Sequence, residues 1–357
     1  PQISLLLGPC LGGQAYHPVM MDFVIQNRQT GFMGIAGPAF VKTQTGEDIS
    51  LEALSGWRAH ASKSGQSHIV ADSDEECIDR CKELLGYLPS NNQDRSPVPA
   101  CNDPVDRKSP ELDSVVPDHP MRPYDMRGVI RPITDDGRFL EILPHFATNA
   151  ICGFARFGGQ AAGLVANQPT AKAGVLDIDA CDKLARFIRF CDLFGIPLVS
   201  LVDCPGYLIG SQQDWAGILR HGAKLLFSWA DATVPLISII LRKSYAGAHY
   251  GMLDKSIGAD FVFAWPTARV SIVGAETAAS VIFAREIRSA DNPEEERARK
   301  LKQYSDLYES PYPAAERGYV DEIIEPAATR EYINKALNIL AHKTTAAPWR
   351  KFSNITL

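Results

Sequence analysis

The chain has 357 residues, 45% hydrophobic and 22% charged, with a formal net charge of −6. That length suffices for two globular domains of ordinary size, each with its own core. The acidic balance offers nothing to nucleic acid or an anionic membrane surface, and no apolar run approaches the roughly 20 residues that span a bilayer.

The chain opens on "PQISLLL", a strand-like run feeding the glycine-rich "GPCLGGQAYHPVM". It starts with Pro, so its N-terminus carries no targeting information. "SDEECIDRCKELLGYL" has a helical apolar period and an acidic first turn, and is expected to be the last helix of a first domain, residues 1–87. It holds Cys77 and Cys81 at helical spacing, but no further ligands stand at the tight spacing of a zinc site. The eight cysteines therefore read as free thiols, and no metal is expected. Residues 88–124 contain eight of the 24 prolines among Asp, Asn and Ser, without helical or strand period. They read as an inter-domain linker in extended and turn conformations.

The second domain is expected over residues 125–357. "ICGFARFGGQAAGLVAN" reads as two strands about a Gly158-Gly159 turn, "ACDKLARFIRFCDLFG" as an amphipathic helix and "IPLVSLVD" as a buried strand. "GSQQDWAGILRHGAKLLFSWADA" reads as one long helix and "VPLISIIL" as another buried strand. The alternation predicts an α/β layered core. No G-x-G-x-x-G or Walker sequence follows these strands, which argues against a dinucleotide fold.

"PQISLLL" and "PLISIIL" are related. Pro1, Ile3 and Ser4 match Pro235, Ile237 and Ser238 at one offset, which also brings Gly13 onto Gly247. About 25 residues on, "IAGPA" faces "IVGAE" at nearly the same offset. A match held through strand, loop and following strand indicates internal duplication. The second copy is preceded by about 85 residues of strands and helices with no counterpart before Pro1. Well over a hundred further residues are therefore expected upstream, in the natural polypeptide or a companion chain, because a bare sheet edge is costly in water.

A strand that ends in a glycine-rich loop and starts a helix presents N–H groups without intrahelical partners at a positive helix end. Such a loop holds an oxyanion, and small residues let a substrate carbonyl approach. Gly12 and Gly13, and Ala246, Gly247 and Ala248, are candidates for two such loops. The alternative is that both are ordinary tight turns.

With "NNQDRSPVPACNDPVDR", "GVLDIDACDKLARFIRFCDLFGIPLVSLVDCPGYLIG", "GILRHGAKLLFSWADATVP", "FAWPTARVSIVGAE" and "PYPAAERGYVDEII", these loops make the chain resemble the carboxyltransferase β subunit of biotin-dependent acyl-CoA carboxylases, nearest the propionyl-CoA type. The resemblance implies two crotonase-like ββα-spiral domains, the first incomplete in this chain. It implies that N–H groups at Gly12 and Gly13 hold the thioester oxygen of an acyl-CoA as its enolate forms. A second pair at Gly247 and Ala248 would hold the ureido oxygen of carboxybiotin. The biotin nitrogen then serves as base and the enolate captures CO2, so no catalytic dyad is required. Biotin would arrive on a carrier, since nothing here resembles a biotin-accepting lysine or an ATP-grasp module. The implied partners are a biotin carboxylase and carrier subunit and further copies in a hexameric ring, with each active site between the first domain of one copy and the second domain of another. The implied location is the bacterial cytoplasm or the mitochondrial matrix.

Tyr16, Gly206, Ala246, His249 and Tyr250 are expected to contact substrate, His249 as pocket lining rather than as an acid or base. Cys204 reads as a turn residue rather than a nucleophile, and His221 as a hydrogen-bonded helix residue. Tyr250 stands where propionyl- and acetyl-type relatives have a compact residue or Asp, and "YGM" is closer to methylcrotonyl-type enzymes. It either shapes the acyl pocket or packs in the core. Alternatives kept open are a biotin-dependent decarboxylase of the glutaconyl-CoA type, a methylcrotonyl-CoA-type carboxylase and a noncatalytic scaffold.

Overall fold

The computed structural model describes residues 1–345 and 354–356. The opening apolar run forms β1 (Ile3–Leu6), which leads through β2 (Pro9–Leu11) into a tight helical turn. β3 (Phe23–Asn27), β4 (Phe32–Gly34) and β5 (Ile69–Ala71) follow, and the helix Asp74–Tyr87 closes the unit. That helix is capped by Ser73, whose side chain accepts from the Glu76 N–H, and three acidic residues fill its first turn. All pairings in this unit are parallel: β1 with β3, β3 with β5, and β2 with β4.

The second unit is an eight-stranded sheet. β6 (Phe139–Ile142), β7 (Ala150–Phe157) and β8 (Gln160–Asn167) pair antiparallel, and the expected turn at Gly158 and Gly159 has φ +59 and +84. Two positive φ values suit a two-residue hairpin loop. After the helix Ile178–Leu193 the sheet continues in parallel with β9 (Leu198–Cys204), β10 (Leu236–Tyr245), β11 (Phe261–Ala264) and β13 (Glu322–Ile323), while β12 (Arg269–Ser271) pairs with the far end of β10. This is the α/β, crotonase-like class that the sequence implies.

The duplication is visible in register. Ile3 pairs with Phe23 as Ile237 pairs with Phe261, and Pro9 pairs with Phe32 as Lys243 pairs with Arg269. Ile25 pairs with Ile69 as Phe263 pairs with Glu322. The strand pairings around both glycine loops are thus the same.

Three expectations change. The long helix at 210–232 is two helices, Ser211–Ala216 and Ile218–Asp231, because Gly217 takes a left-handed φ of +94 and ends the first. β10 runs past "VPLISIIL" through Tyr245. The Pro-rich segment is clamped rather than free: Leu112, Val116 and Tyr124 are buried, and the fully buried Arg330 donates to the carbonyls of Asp103, Pro104 and Ile133.

The two units also share a core, beside a small cluster of Leu6, Val24 and Met33 confined to the first. One cluster runs from Phe23, Ile25, Ile69 and Leu84 into Phe154, Phe187 and Phe190 of the second unit. The Phe23 and Phe190 rings meet edge-on at 4.6 Å, and Phe154 lies 5.1 Å from Phe187 and 6.0 Å from Tyr87. A three-stranded sheet with one helix cannot enclose its own apolar face, so it uses the Ile178–Leu193 helix. The other face of the large sheet packs on Met126, Ile130, Ile333 and Leu337. Phe154→Ala is expected to lower the unfolding free energy by about 3–5 kcal/mol. Denaturant unfolding followed by tryptophan fluorescence and circular dichroism should keep a single transition, and two separate transitions would contradict the shared core.

Candidate active site

The two loops share one backbone device. β2 ends at Leu11 and Gly12 follows at φ +78; β10 ends at Tyr245 and Ala246 follows at φ +51. Gly12 and Ala246 occupy the same place in the repeat. The left-handed conformation is natural for glycine, whereas for alanine it costs roughly 1–2 kcal/mol. Its retention at Ala246 marks a turn the surrounding structure imposes. Each turn starts a short helix whose first turn has no side-chain cap, Gly12–Ala15 in the first repeat and Ala246–Gly251 in the second. The N–H groups that open these helices, at Gly12, Gly13, Gly247 and Ala248, have no partner within the helix.

Gly13 and Gly247 are exposed, and a Cβ built on Gly13 meets nothing within 4 Å. Ala248 differs: the whole residue is buried in the main core and stands outside the cleft lining. Tyr16 and Tyr250 stand at matching positions and are 55% and 45% exposed. Tyr250 is therefore not a core residue. Ile35 and Ile272 also match, and both are exposed.

The second loop opens on a cleft of about 1000 Å³ containing Ala246, Gly247, Gly206 and Tyr207. One wall is the Pro-rich stretch His119–Pro123; the opposite wall is Ile272–Thr277 with residues of the helix Pro293–Tyr308. Gly12, Gly13 and Tyr16 do not line it, so within one chain the two loops do not share a cleft. His249 and Tyr250 lie on the helix behind the loop and also stand outside the lining. Tyr207 packs beneath the loop: a Cβ at Gly247 would lie 3.6 Å from its ring and one at Gly251 2.6 Å from its hydroxyl. Its buried hydroxyl has no hydrogen-bond partner, and burial pushes its ionisation well up.

His249 is held at both nitrogens, by the Ser244 hydroxyl at 2.7 Å and the Asp254 carboxylate at 3.0 Å. Burial pushes the Asp254 carboxyl up, but bonds from His249, Ser256 and the Ile257 N–H outweigh it and leave the group below its ordinary value. This bracket fixes the helix behind the loop and commits both ring nitrogens to side chains of the protein, outside the cleft lining. Cys204 donates to the Gly174 and Gly206 carbonyls, and burial pushes its thiol up to about 12. A thiol so held is no nucleophile at neutral pH. His221 is bonded to Asp182 at 2.7 Å, and Lys224 shares the same oxygen at 2.8 Å.

The sequence reading missed the charged frame. Asp203, fully buried at the end of β9, accepts from Arg242 Nε at 3.1 Å and the Lys243 N–H at 3.1 Å. Arg242 also donates to the carbonyls of Pro117, His119 and Arg122 and stacks on Tyr124, which fixes the Pro-rich wall. Glu309 ties the other wall: it accepts from the Tyr245 hydroxyl at 2.7 Å and the Ala275 N–H at 3.0 Å, and pairs with Arg269 at 3.1 Å. Two cations directly after the apolar run "VPLISIIL" were the available signal for Arg242 and Lys243. Glu309 gave none, because its partners stand 34 to 64 residues away. Among the described residues no cluster of His, Cys, Asp and Glu is placed to hold a metal, and no helix is long and apolar enough to cross a membrane.

Comparison with known proteins agrees with this geometry. The carboxyl transferase domain model matches residues 1–355. The propionyl-CoA carboxylase beta chain of Saccharopolyspora erythraea is 48% identical over all of this chain and 68% of its own length. The methylmalonyl-CoA decarboxylase subunit alpha of Propionigenium modestum is 45% identical over all of this chain and 69% of its own. The crystal structure of transcarboxylase 12S, a hexamer assembly with methylmalonyl-coenzyme A and methylmalonic acid bound, superposes with a TM-score of 0.96 at 44% identity, covering 100% of this chain and 68% of that one. The chain belongs to the carboxyl transferase family, the carboxyltransferase components of biotin-dependent acyl-CoA carboxylases.

Proposed function

We propose that the chain transfers a carboxyl group between carboxybiotin and the α-carbon, or vinylogous carbon, of an acyl-CoA, most nearly as a propionyl-CoA carboxylase β subunit. The observation that carries this is the matched pair of left-handed turns at Gly12 and Ala246, each opening an uncapped helical turn. N–H groups at Gly12 and Gly13 hold the thioester oxygen and stabilise the charge that grows there when the α-proton leaves. N–H groups at Gly247 and Ala248 hold the ureido oxygen. A fixed donor of this kind is worth about 3 kcal/mol in the transition state. Biotin, delivered by a carrier subunit, supplies the CO2 and a nitrogen base. The chain's part is to orient, to exclude water and to hold developing charge, which explains why His249 and Cys204 are both occupied elsewhere.

Since the two loops do not share a cleft in one chain, the reading places each active site between the first repeat of one copy and the second repeat of another. The repeats are residues 1–87 and 125–357, joined by 88–124, and the assembly is a hexamer. Exposed apolar residues near both loops support this: Tyr16, Ile35 and Phe40 on one side, Ile209, Trp215 and Ile272 on the other. The compartment is the bacterial cytoplasm or the mitochondrial matrix.

Gly13→Val and Gly247→Val are each expected to lower transfer activity at least about 100-fold with an unchanged unfolding midpoint. Neither glycine has a positive φ, and a Cβ at either meets only ordinary contacts or open space. Activity within a few-fold of the parent would reduce the loops to turns. Assaying formation of the carboxylated acyl-CoA against its decarboxylation fixes the direction.

Tyr250 is exposed beside the second loop, where a neighbouring copy would close over it. Tyr250→Ile should change the ratio of kcat/KM among acetyl-, propionyl- and longer acyl-CoA by about tenfold. An unchanged ratio in a folded variant would remove Tyr250 from acyl selection.

A further inference from the structure

The cleft beside the second loop carries more positive than negative charge in its buried frame. β10 keeps register with β9 as far as Ile240 opposite Val202, and recovers it at Ser244 opposite Cys204. The irregular stretch between them contains Arg242 and Lys243, consecutive residues that are both buried, at 1% and 6% exposure. In regular strand they would point to opposite faces; here both approach Asp203.

One carboxylate serves two cations. Arg242 comes closer: its Nε donates to Asp203 Oδ2 at 3.1 Å and its Nη2 lies 2.9 Å from the same oxygen without a hydrogen bond. Lys243 Nζ stands 3.7 Å from Oδ1, an oxygen already accepting the Lys243 N–H at 3.1 Å. The ammonium makes one hydrogen bond within these contacts, to the Pro120 carbonyl at 3.1 Å. The other cation that ends in the cleft frame, the half-buried Arg269, is neutralised by the buried Glu309. Arg242, Lys243 and Asp203 together leave one net positive charge in a wall that also contains Ala246 and Gly247. A buried charge without its counter-ion is costly, and an arriving anion relieves that cost.

We propose that Lys243 is a carboxylate seat: its ammonium binds the carboxyl group that the reaction moves. The site then recognises acyl-CoA esters bearing a free carboxylate over those without one. The inference rests on the acyl-CoA reading above and assigns it a side chain. Lys243 supplies a charge-assisted bond that the backbone loops cannot, and holds the departing or arriving carboxylate at the cleft wall. No bond is made or broken by the lysine itself.

The test is equilibrium binding of methylmalonyl-CoA and of propionyl-CoA to the assembled protein, for the parent, Lys243→Met and Lys243→Gln. Both variants should lose methylmalonyl-CoA affinity by at least about 30-fold, while propionyl-CoA affinity changes by no more than about twofold. Because the Arg242–Asp203 pair remains neutral without the lysine, the unfolding midpoint of neither variant should fall. Lys243→Gln keeps a donor for the Pro120 carbonyl without the charge, so it separates shaping of the wall from binding of the carboxylate, and it carries the test if the Met variant does not fold. Equal losses for both ligands, or no loss for either, overturn the assignment. A parent protein that binds neither ligand sinks the acyl-CoA reading, and the seat with it.

Discussion

Strand β10 is where the second unit is decided. Its first half is hydrogen-bonded on one side to β9 and on the other to β11, wholly inside the protein. Its second half pairs with β12 and ends in the left-handed turn at Ala246. The register break between Ile240 and Ser244 separates an apolar half of the strand from a polar, cleft-lining one. Arg242 and Lys243 occupy that break, and through them the strand reaches the Pro-rich wall on one side; through Tyr245 it reaches Glu309 and the helical wall on the other. Loop, floor and both walls of the cleft thus hang on one strand.

Burying the Asp203–Arg242 pair is expensive in itself, and such pairs add little net stability compared with apolar replacements. Arg242 does more than pair. Its guanidinium gathers three carbonyls of a segment that has little regular structure, in geometry a planar fork of donors supplies and an ammonium does not. The segment between the repeats consequently becomes part of the site. Tyr245 and Glu309 do the same for the helices beyond β12, so polar contacts at the strand end tie down both walls.

Much of this was legible in the sequence, for a physical reason. Strand and loop repeat together, so the matches Pro1/Pro235 and Gly13/Gly247 signalled the duplication that the paired registers display. The Gly158-Gly159 hairpin and the acidic first turn of the Asp74–Tyr87 helix depend on neighbours a few residues away and were readable for that reason. What escaped depends on distance in sequence. The break at Gly217 looked like helix because the apolar period continues across it. The shared core of Phe23 and Phe190, the clamping of the Pro-rich segment by Arg330 and Arg242, and the place of Glu309 involve partners separated by more than the span of any local pattern. Tyr250 could be weighed only as core or pocket residue until its exposure beside the loop was known.

The burial of Cys204 has a chemical consequence for a family that handles thioesters. A thiolate near an activated acyl group attacks it, exchanging coenzyme A for the protein's own sulfur and arresting the site in an acylated form. Cys204 lies two residues from Gly206 in the cleft, yet its sulfur faces the Gly174 and Gly206 carbonyls and stays protonated. Cys152 is likewise fully buried, with its thiol pushed up to about 12, and burial also pushes up the thiols of Cys181 and Cys191. Keeping these four sulfurs protonated withdraws them as competing nucleophiles for a thioester, a protection that burial alone supplies.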